Sequence, residues 1–141
     1  MGANLKLVDQ AISAYNQGEL QAFCALYADN AVLSAPDGTY IGRAAITEMW
    51  RGTRESFPDA KLTITLTVDD GTCVVSEWTH YAINTGPLTL PDGTTVPATG
   101  MPVEISGMDV VEVRNGQIVA HRLYYDNMAV LAQLGLVPAA G

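Results

Sequence analysis

A chain of 141 residues, 48 % of them hydrophobic and 16 % charged, can bury enough apolar surface to offset the ordering entropy of folding, so disorder is excluded and one domain spanning 1–141 is expected. Seven Lys and Arg against fifteen Asp and Glu leave a net charge of -8; so acidic a surface repels phosphate backbones and anionic headgroups, which argues against nucleic acid and membranes as partners. Residues 1–10 carry no apolar run of signal-peptide length and no stretch approaches the roughly 18 residues of a membrane span, so a cytoplasmic protein is expected.

In chain order, Val8, Ala11, Ile12 and Tyr15 recur at helical spacing and predict a first helix over residues 5–16, interrupted at Gly18. Leu20, Phe23, Cys24 and Tyr27 repeat the spacing and predict a second, ending near Asp29 and Asn30. A short strand over residues 31–34 runs into the turn Pro36-Asp37-Gly38. Ile46, Met49, Trp50, Thr53 and Phe57 mark one face of a third helix, stopped by Pro58. The period then changes. Residues 61–69 alternate, with Leu62, Ile64, Leu66 and Val68 on one face, and Asp70-Gly71 turns the chain into a long strand over residues 72–84. Residues 87–101 read as a loop with a turn at Pro91-Asp92-Gly93. Two long strands, 103–114 and 117–126, meet at Asn115-Gly116, and Asp126 or Asn127 caps a last helix through Leu134. Helices followed by long antiparallel strands make a layered α+β domain. Cys24 and Cys73 each fall in a core segment and read as buried free thiols.

The chain offers no metal-ligand spacing, phosphate-binding glycine loop or nucleophile elbow, so no cofactor and no metal are expected. What remains are groups suited to proton transfer: His80, His121, Asp109 and the tyrosines. Side chains alternate across a strand, so register decides which of these meet. A two-residue Asn115-Gly116 loop places Asp109 opposite Arg122 as an ordinary ion pair, whereas a three-residue loop from Arg114 places it opposite His121. The residues alone leave both open.

The runs Gly100-Met101-Pro102-Val103, Ser106-Gly107-Met108-Asp109-Val110, Asn115-Gly116-Gln117-Ile118-Val119, Tyr124-Tyr125-Asp126 and Leu131-Ala132-Gln133-Leu134-Gly135-Leu136 resemble the SnoaL-like polyketide cyclase (ester cyclase) family. The segments Gly42-Arg43-Ala44-Ala45-Ile46 and Asn16-Gln17-Gly18-Glu19-Leu20 fit it too, as they fit the wider nuclear transport factor two-like superfamily. The resemblance implies a cone-shaped, curved antiparallel sheet wrapped by N-terminal helices, a cystatin-like α+β roll around a deep apolar pocket. It implies the three-residue hairpin, and it turns Ser76, Trp78 and His80 inward. Several positions depart from the family: its acid/base aspartate is Leu123 here and the adjoining histidine is Val111. Against ketosteroid isomerases, the helix-one tyrosine is Ala11 and the general-base aspartate Ala35, while the second aspartate matches at Asp109. Asp37, on the turn after the first strand, lies near where such a base stands in relatives.

The expected pocket therefore gathers Asp109, His121 and His80 as catalytic groups. Tyr15, Tyr27, Met49, Trp50, Trp78, Leu123 and Tyr125 are its walls for a small, apolar, ring-bearing ligand. The leading reading is a cofactor-independent cyclase or isomerase of a carbonyl compound, with a histidine moving the proton and Asp109 orienting the imidazole or stabilising an enolate. Its rival is a silent ligand-binding domain, motivated by Ala11, Ala35, Val111 and Leu123, and an epoxide hydrolase stands third. Relatives pair through the outer sheet face, where this chain carries Val110 and Tyr124, so a homodimer is expected.

Overall fold

The computed structural model describes residues 2–90 and 92–138. The chain runs through α1 (Ala3–Asn16), α2 (Leu20–Cys24), β1 (Tyr27–Ala35), β2 (Gly38–Ile41), α3 (Arg43–Ser56), β3 (Lys61–Asp69) and β4 (Cys73–Ile83). It continues through a small hairpin, β5 (Leu88–Thr89) and β6 (Thr95–Val96), then β7 (Pro102–Arg114), β8 (Gln117–Tyr124) and α4 (Asn127–Gln133). Six strands form one curved sheet in the order β2-β1-β8-β7-β4-β3. Its neighbours pair antiparallel except β1 and β8, which are parallel. The sheet is thus mixed rather than wholly antiparallel, because β1 meets the last strand only after the rest of the sheet has been laid down, and so long a connection permits a parallel neighbour.

The second helix is shorter than its spacing predicts. It stops at Cys24, and Tyr27 opens β1 opposite Ile118, whose amide donates to the Leu26 carbonyl at 2.9 Å. One turn of apolar periodicity does not nucleate a helix against such pairing. β2, which no periodicity announces, pairs with β1 as the sheet's edge. The segment over residues 87–101 contains the β5–β6 hairpin; Pro91 of its turn lies outside the described residues. Wholly buried Asn84 ties the ends of this segment: its amide donates to Ser56 O and Gly86 O, and its Oδ1 accepts from the backbone and hydroxyl of Thr99. The hairpin is docked beside the end of α3, where Ser56 Oγ donates to Pro87 O at 2.7 Å.

Two bulges decide which side chains face inward. In β3, Ile64 faces Trp78 but Leu66 faces Glu77, so Thr65 is an extra residue and the phase inverts. Leu62 and Ile64 keep the expected face, whereas Leu66 and Val68 turn to the outer face, 56 % and 53 % exposed. The second bulge settles the last hairpin. Its loop is the tight two-residue one: Arg114 faces Gln117, and Asn115 and Gly116 both take left-handed conformations (φ 52° and 74°), the mirror-type turn that suits strand twist. Val113 then faces Ile118 and Glu112 faces Ala120, which leaves Val119 without a partner. That one residue restores the inward phase. Asp109 faces Leu123, neither Arg122 nor His121, while Arg122 faces Val110 on the outer side and pairs with Glu112 at 3.2 Å.

The core lies between the inner sheet face and the helices, from Leu7, Ala11 and Tyr15 of α1 through Phe23 and Cys24 to Leu33, Ile46 and Val111. Cys24 is buried and Cys73 half-buried, and both are free thiols. Gly107 faces Trp78 across the ladder, and the indole ring lies over it; a Cβ there would stand 2.7 Å from both the ring and the Tyr124 carbonyl. Gly107→Ala should therefore cost about 1–3 kcal/mol of stability, the usual penalty of overpacking, read as a lowered midpoint in urea denaturation. An unchanged midpoint would show that the indole is not seated on Gly107.

Candidate functional site

Between the inner sheet face and the helices lies a cavity of about 240 Å³, lined mainly by apolar side chains. All the residues expected to line it do so: Asp109, His121 and His80; Tyr15 and Tyr27; Met49 and Trp50 of α3; and Trp78, Leu123 and Tyr125. Ser76 stands on the inner face with Trp78 and His80, as the resemblance implied. Asp37, exposed on the β1–β2 turn, lines the rim, where Tyr40 Oη donates to it at 3.4 Å. Among the described residues no group of three or more His, Cys, Asp or Glu is placed to hold a metal ion, and no helix is long and apolar enough to cross a membrane.

The cavity joins His121 and Asp109 directly. His121 Nε2 and Asp109 Oδ2 are 2.8 Å apart, and His121 Nδ1 and Tyr27 Oη are also 2.8 Å apart. Trp50 Nε1 donates to Tyr27 Oη at 3.2 Å. One arrangement of protons satisfies all three contacts. An indole only donates, so the Tyr27 oxygen accepts from Trp50, and its own proton has His121 Nδ1 as its remaining partner. Burial pushes the Tyr27 phenol well above its ordinary range, so that proton stays in place. Nδ1 therefore accepts, Nε2 carries the ring proton, and Nε2–H donates to Asp109. Tyr27 is wholly buried, and Arg43 of the Gly42-Arg43-Ala44-Ala45-Ile46 run holds its backbone by donating Nε to Tyr27 O at 2.8 Å. Both nitrogens of His121 are thus occupied by protein. Asp109, whose side chain is 14 % exposed, keeps Oδ1 without a partner among the described residues.

The other histidine is set differently. His80 Nε2 lies 2.9 Å from Tyr15 Oη. Burial first, and then the charge of Arg54, depress this imidazole to about 4, so it is neutral at physiological pH. Arg54 stands 4.7 Å over the Tyr15 ring and also donates to the Tyr15 carbonyl. Burial raises the Tyr15 phenol to about 12, so it remains a protonated partner for His80. Asn16 fastens this corner of α1 to β3, accepting from Leu62 N and donating to Leu62 O. Sequence reasoning named Tyr15 and His80 separately but missed Arg54; the available signal was its position four residues after Trp50, on the same side of α3.

A family model described as a SnoaL-like domain matches residues 8–121. The solved structure of IdmH, a proposed polyketide cyclase from Streptomyces antibioticus, is similar at 29% identity, with a TM-score of 0.75 over 92% of this chain and 96% of that one. A proposed polyketide cyclase from Xanthomonas campestris is similar at 27% identity and TM-score 0.81, covering 94% of this chain and 96% of that one. A protein from Catenulispora acidiphila with a ketosteroid isomerase-like fold, solved with trimethylamine, shares the fold at 22% identity and TM-score 0.76 over 93% of both chains. No curated protein matches the chain.

The setting of His80 makes stability depend on pH. Its imidazole titrates near 6.5 when unfolded and near 4 when folded, so between those values the unfolded chain binds the proton first and acid favours unfolding. Acidification from pH 7 to 4.5 should cost wild type about 2 kcal/mol through this group alone. In urea denaturation at the two pH values, His80→Gln should lose less stability than wild type by about that amount; equal losses would contradict the neutral, buried imidazole.

Proposed function

The chain belongs to the SnoaL-like domain family, and on that footing we propose that it is a cofactor-free cyclase or isomerase that moves a proton on a small, enolisable carbonyl compound. The observation that carries this reading is Asp109: a carboxylate in an apolar cavity, one oxygen held by His121 and the other unpartnered among the described residues. The roles are divided accordingly. Asp109 Oδ1 takes the proton next to the carbonyl, and His121, both of whose nitrogens are engaged, orients the carboxylate and stabilises its charge. The resulting enolate is reprotonated elsewhere in an isomerase, or attacks a second carbonyl of the same molecule in a cyclase. Asp109 faces Leu123, the position that corresponds to the family's acid/base aspartate, so the carboxylate comes from the neighbouring strand. The neutral imidazole of His80 hydrogen-bonds a second oxygen of the ligand. Met49, Trp50, Trp78, Leu123 and Tyr125 pack against a ring-bearing body.

Aromatic ketones, polyketide esters and terpenoids, screened by thermal shift and then by product analysis, should yield a stabilising compound that is converted. With that compound Asp109→Asn and His121→Ala should each lower turnover on the order of 10²-fold. His80→Ala should mainly raise KM. Full turnover in both the Asp109 and His121 variants defeats the assignment. Stabilisation without conversion by wild type supports the second reading, a ligand-binding domain, which the apolar residues at Ala11, Ala35, Val111 and Leu123 favour.

We further propose that two copies pair through the outer sheet face. Leu66, Val68 and Tyr124 are 56 %, 53 % and 52 % exposed there, with Met108 and Val110 beside them, and apolar side chains grouped on one exposed face favour covering by a partner. Sedimentation at micromolar concentration should give a dimer for wild type and a monomer for Leu66→Glu; a monomeric wild type contradicts the pairing.

A further inference from the structure

The inward row through Asp109 reads Ser76, Asp109, Leu123, because Ser76 faces Asp109 across β4–β7 and Leu123 faces it across β7–β8. Ser76 is 2 % exposed and lines the cavity, yet its hydroxyl engages no protein group among the described residues. Two residues along the same strand, the buried Trp78 N–H is also without a partner among the described residues. A hydroxyl so deep is unfavourable unless something pairs with it. The fold gives no reason for it either, since serine is not among the residues that strands favour. Directly opposed residues hold their Cβ atoms roughly 5 Å apart, which brings the Ser76 hydroxyl and the free Asp109 oxygen within reach of one ligand oxygen and its neighbouring carbon.

We propose that Ser76 binds the ligand oxygen that gains negative charge while Asp109 removes the adjacent proton. The C–H bond breaks, its proton passes to Asp109 Oδ1, the electron pair moves onto the carbonyl oxygen, and Ser76 Oγ–H donates to that oxygen. This role rests on the assignment of Asp109 as the proton acceptor. It also fits the size of the site: a cavity of roughly 150 Å³ holds one benzene ring, so about 240 Å³ takes two fused rings bearing an oxygen.

2-Naphthol has that size, and its hydroxyl can donate to Asp109 while accepting from Ser76. Its binding should be titrated by fluorescence against wild type, Ser76→Ala, Ser76→Thr and Asp109→Ala, with the thermal midpoint of each. Ser76→Ala should bind about three- to tenfold more weakly, as the loss of one neutral hydrogen bond implies. Ser76→Thr, which keeps the hydroxyl, should stay within about twofold of wild type. Because the hydroxyl has no protein partner, the midpoint of Ser76→Ala should not fall. Undiminished binding by Ser76→Ala, equal weakness of Ser76→Thr, a lowered midpoint in Ser76→Ala, or failure of wild type to bind 2-naphthol overturns the role of Ser76. Weakening by Asp109→Ala without weakening by Ser76→Ala overturns Ser76 alone, whereas binding indifferent to both substitutions removes Asp109 as well.

Discussion

Strand phase governs this site, and it turns on one unpaired residue. The tight Asn115-Gly116 turn taken alone would send Asp109 to the outer face beside Arg122; Val119, bulged out of the β7–β8 ladder, shifts the register so that Asp109 points into the cavity instead. The consequence reaches both faces. Outside, Arg122 finds Glu112 as its partner. Inside, a carboxylate that would otherwise be a surface charge meets an imidazole whose donor and acceptor sides are already assigned by a buried tyrosine.

The two histidines of the cavity show how environment divides labour between identical side chains. His121 is held at both nitrogens, by Tyr27 on one side and Asp109 on the other, and that arrangement turns its N–H toward a carboxylate. Among the described residues no carboxylate is bonded to His80; it has a phenol, an apolar surround and the field of Arg54, which together keep it uncharged. A fixed N–H beside a carboxylate suits proton transfer by that carboxylate, and a neutral imidazole suits hydrogen bonding to a ligand oxygen. Trp50 belongs to both systems: it donates to Tyr27, and its ring meets that of Tyr15 edge-on at 5.7 Å. One wall of α3 thereby couples the geometry of the two ends.

Much of this was legible in the residues. The helical spacings of the first and third helices, the alternation that opens β3 and the cap at Asp126 are local signals, and the structure follows them: α1 and α3 stand as spaced, and Asp126 accepts from Ala129 N at 3.1 Å. The runs shared with a known family brought the pocket residues to one face. The failures have a common cause. Tyr27 continued a helical spacing but was taken by pairing with a strand some ninety residues later in the chain. Leu66 and Val68 continued an alternation that the Thr65 bulge had reversed, and the hairpin combined the loop of one reading with the inward phase of the other. Period-2 patterns record which residues alternate, not where an extra residue resets them. Asn84 was invisible for a related reason, and Arg54 showed only which side of its helix it shares: a single polar residue signals its role only once its distant partners are in place.

Asp109 points inward and accepts from the Nε2–H of a His121 ring whose Nδ1 accepts from Tyr27. Nitrogen NMR of the imidazole rings at neutral pH reads this directly through the chemical shifts and proton couplings of the two ring nitrogens. The expected result is a bare Nδ1 and a protonated Nε2 on His121, with that pattern disturbed by Tyr27→Phe. A proton on Nδ1 in the wild-type protein, or a His121 spectrum indifferent to Tyr27→Phe, would contradict it.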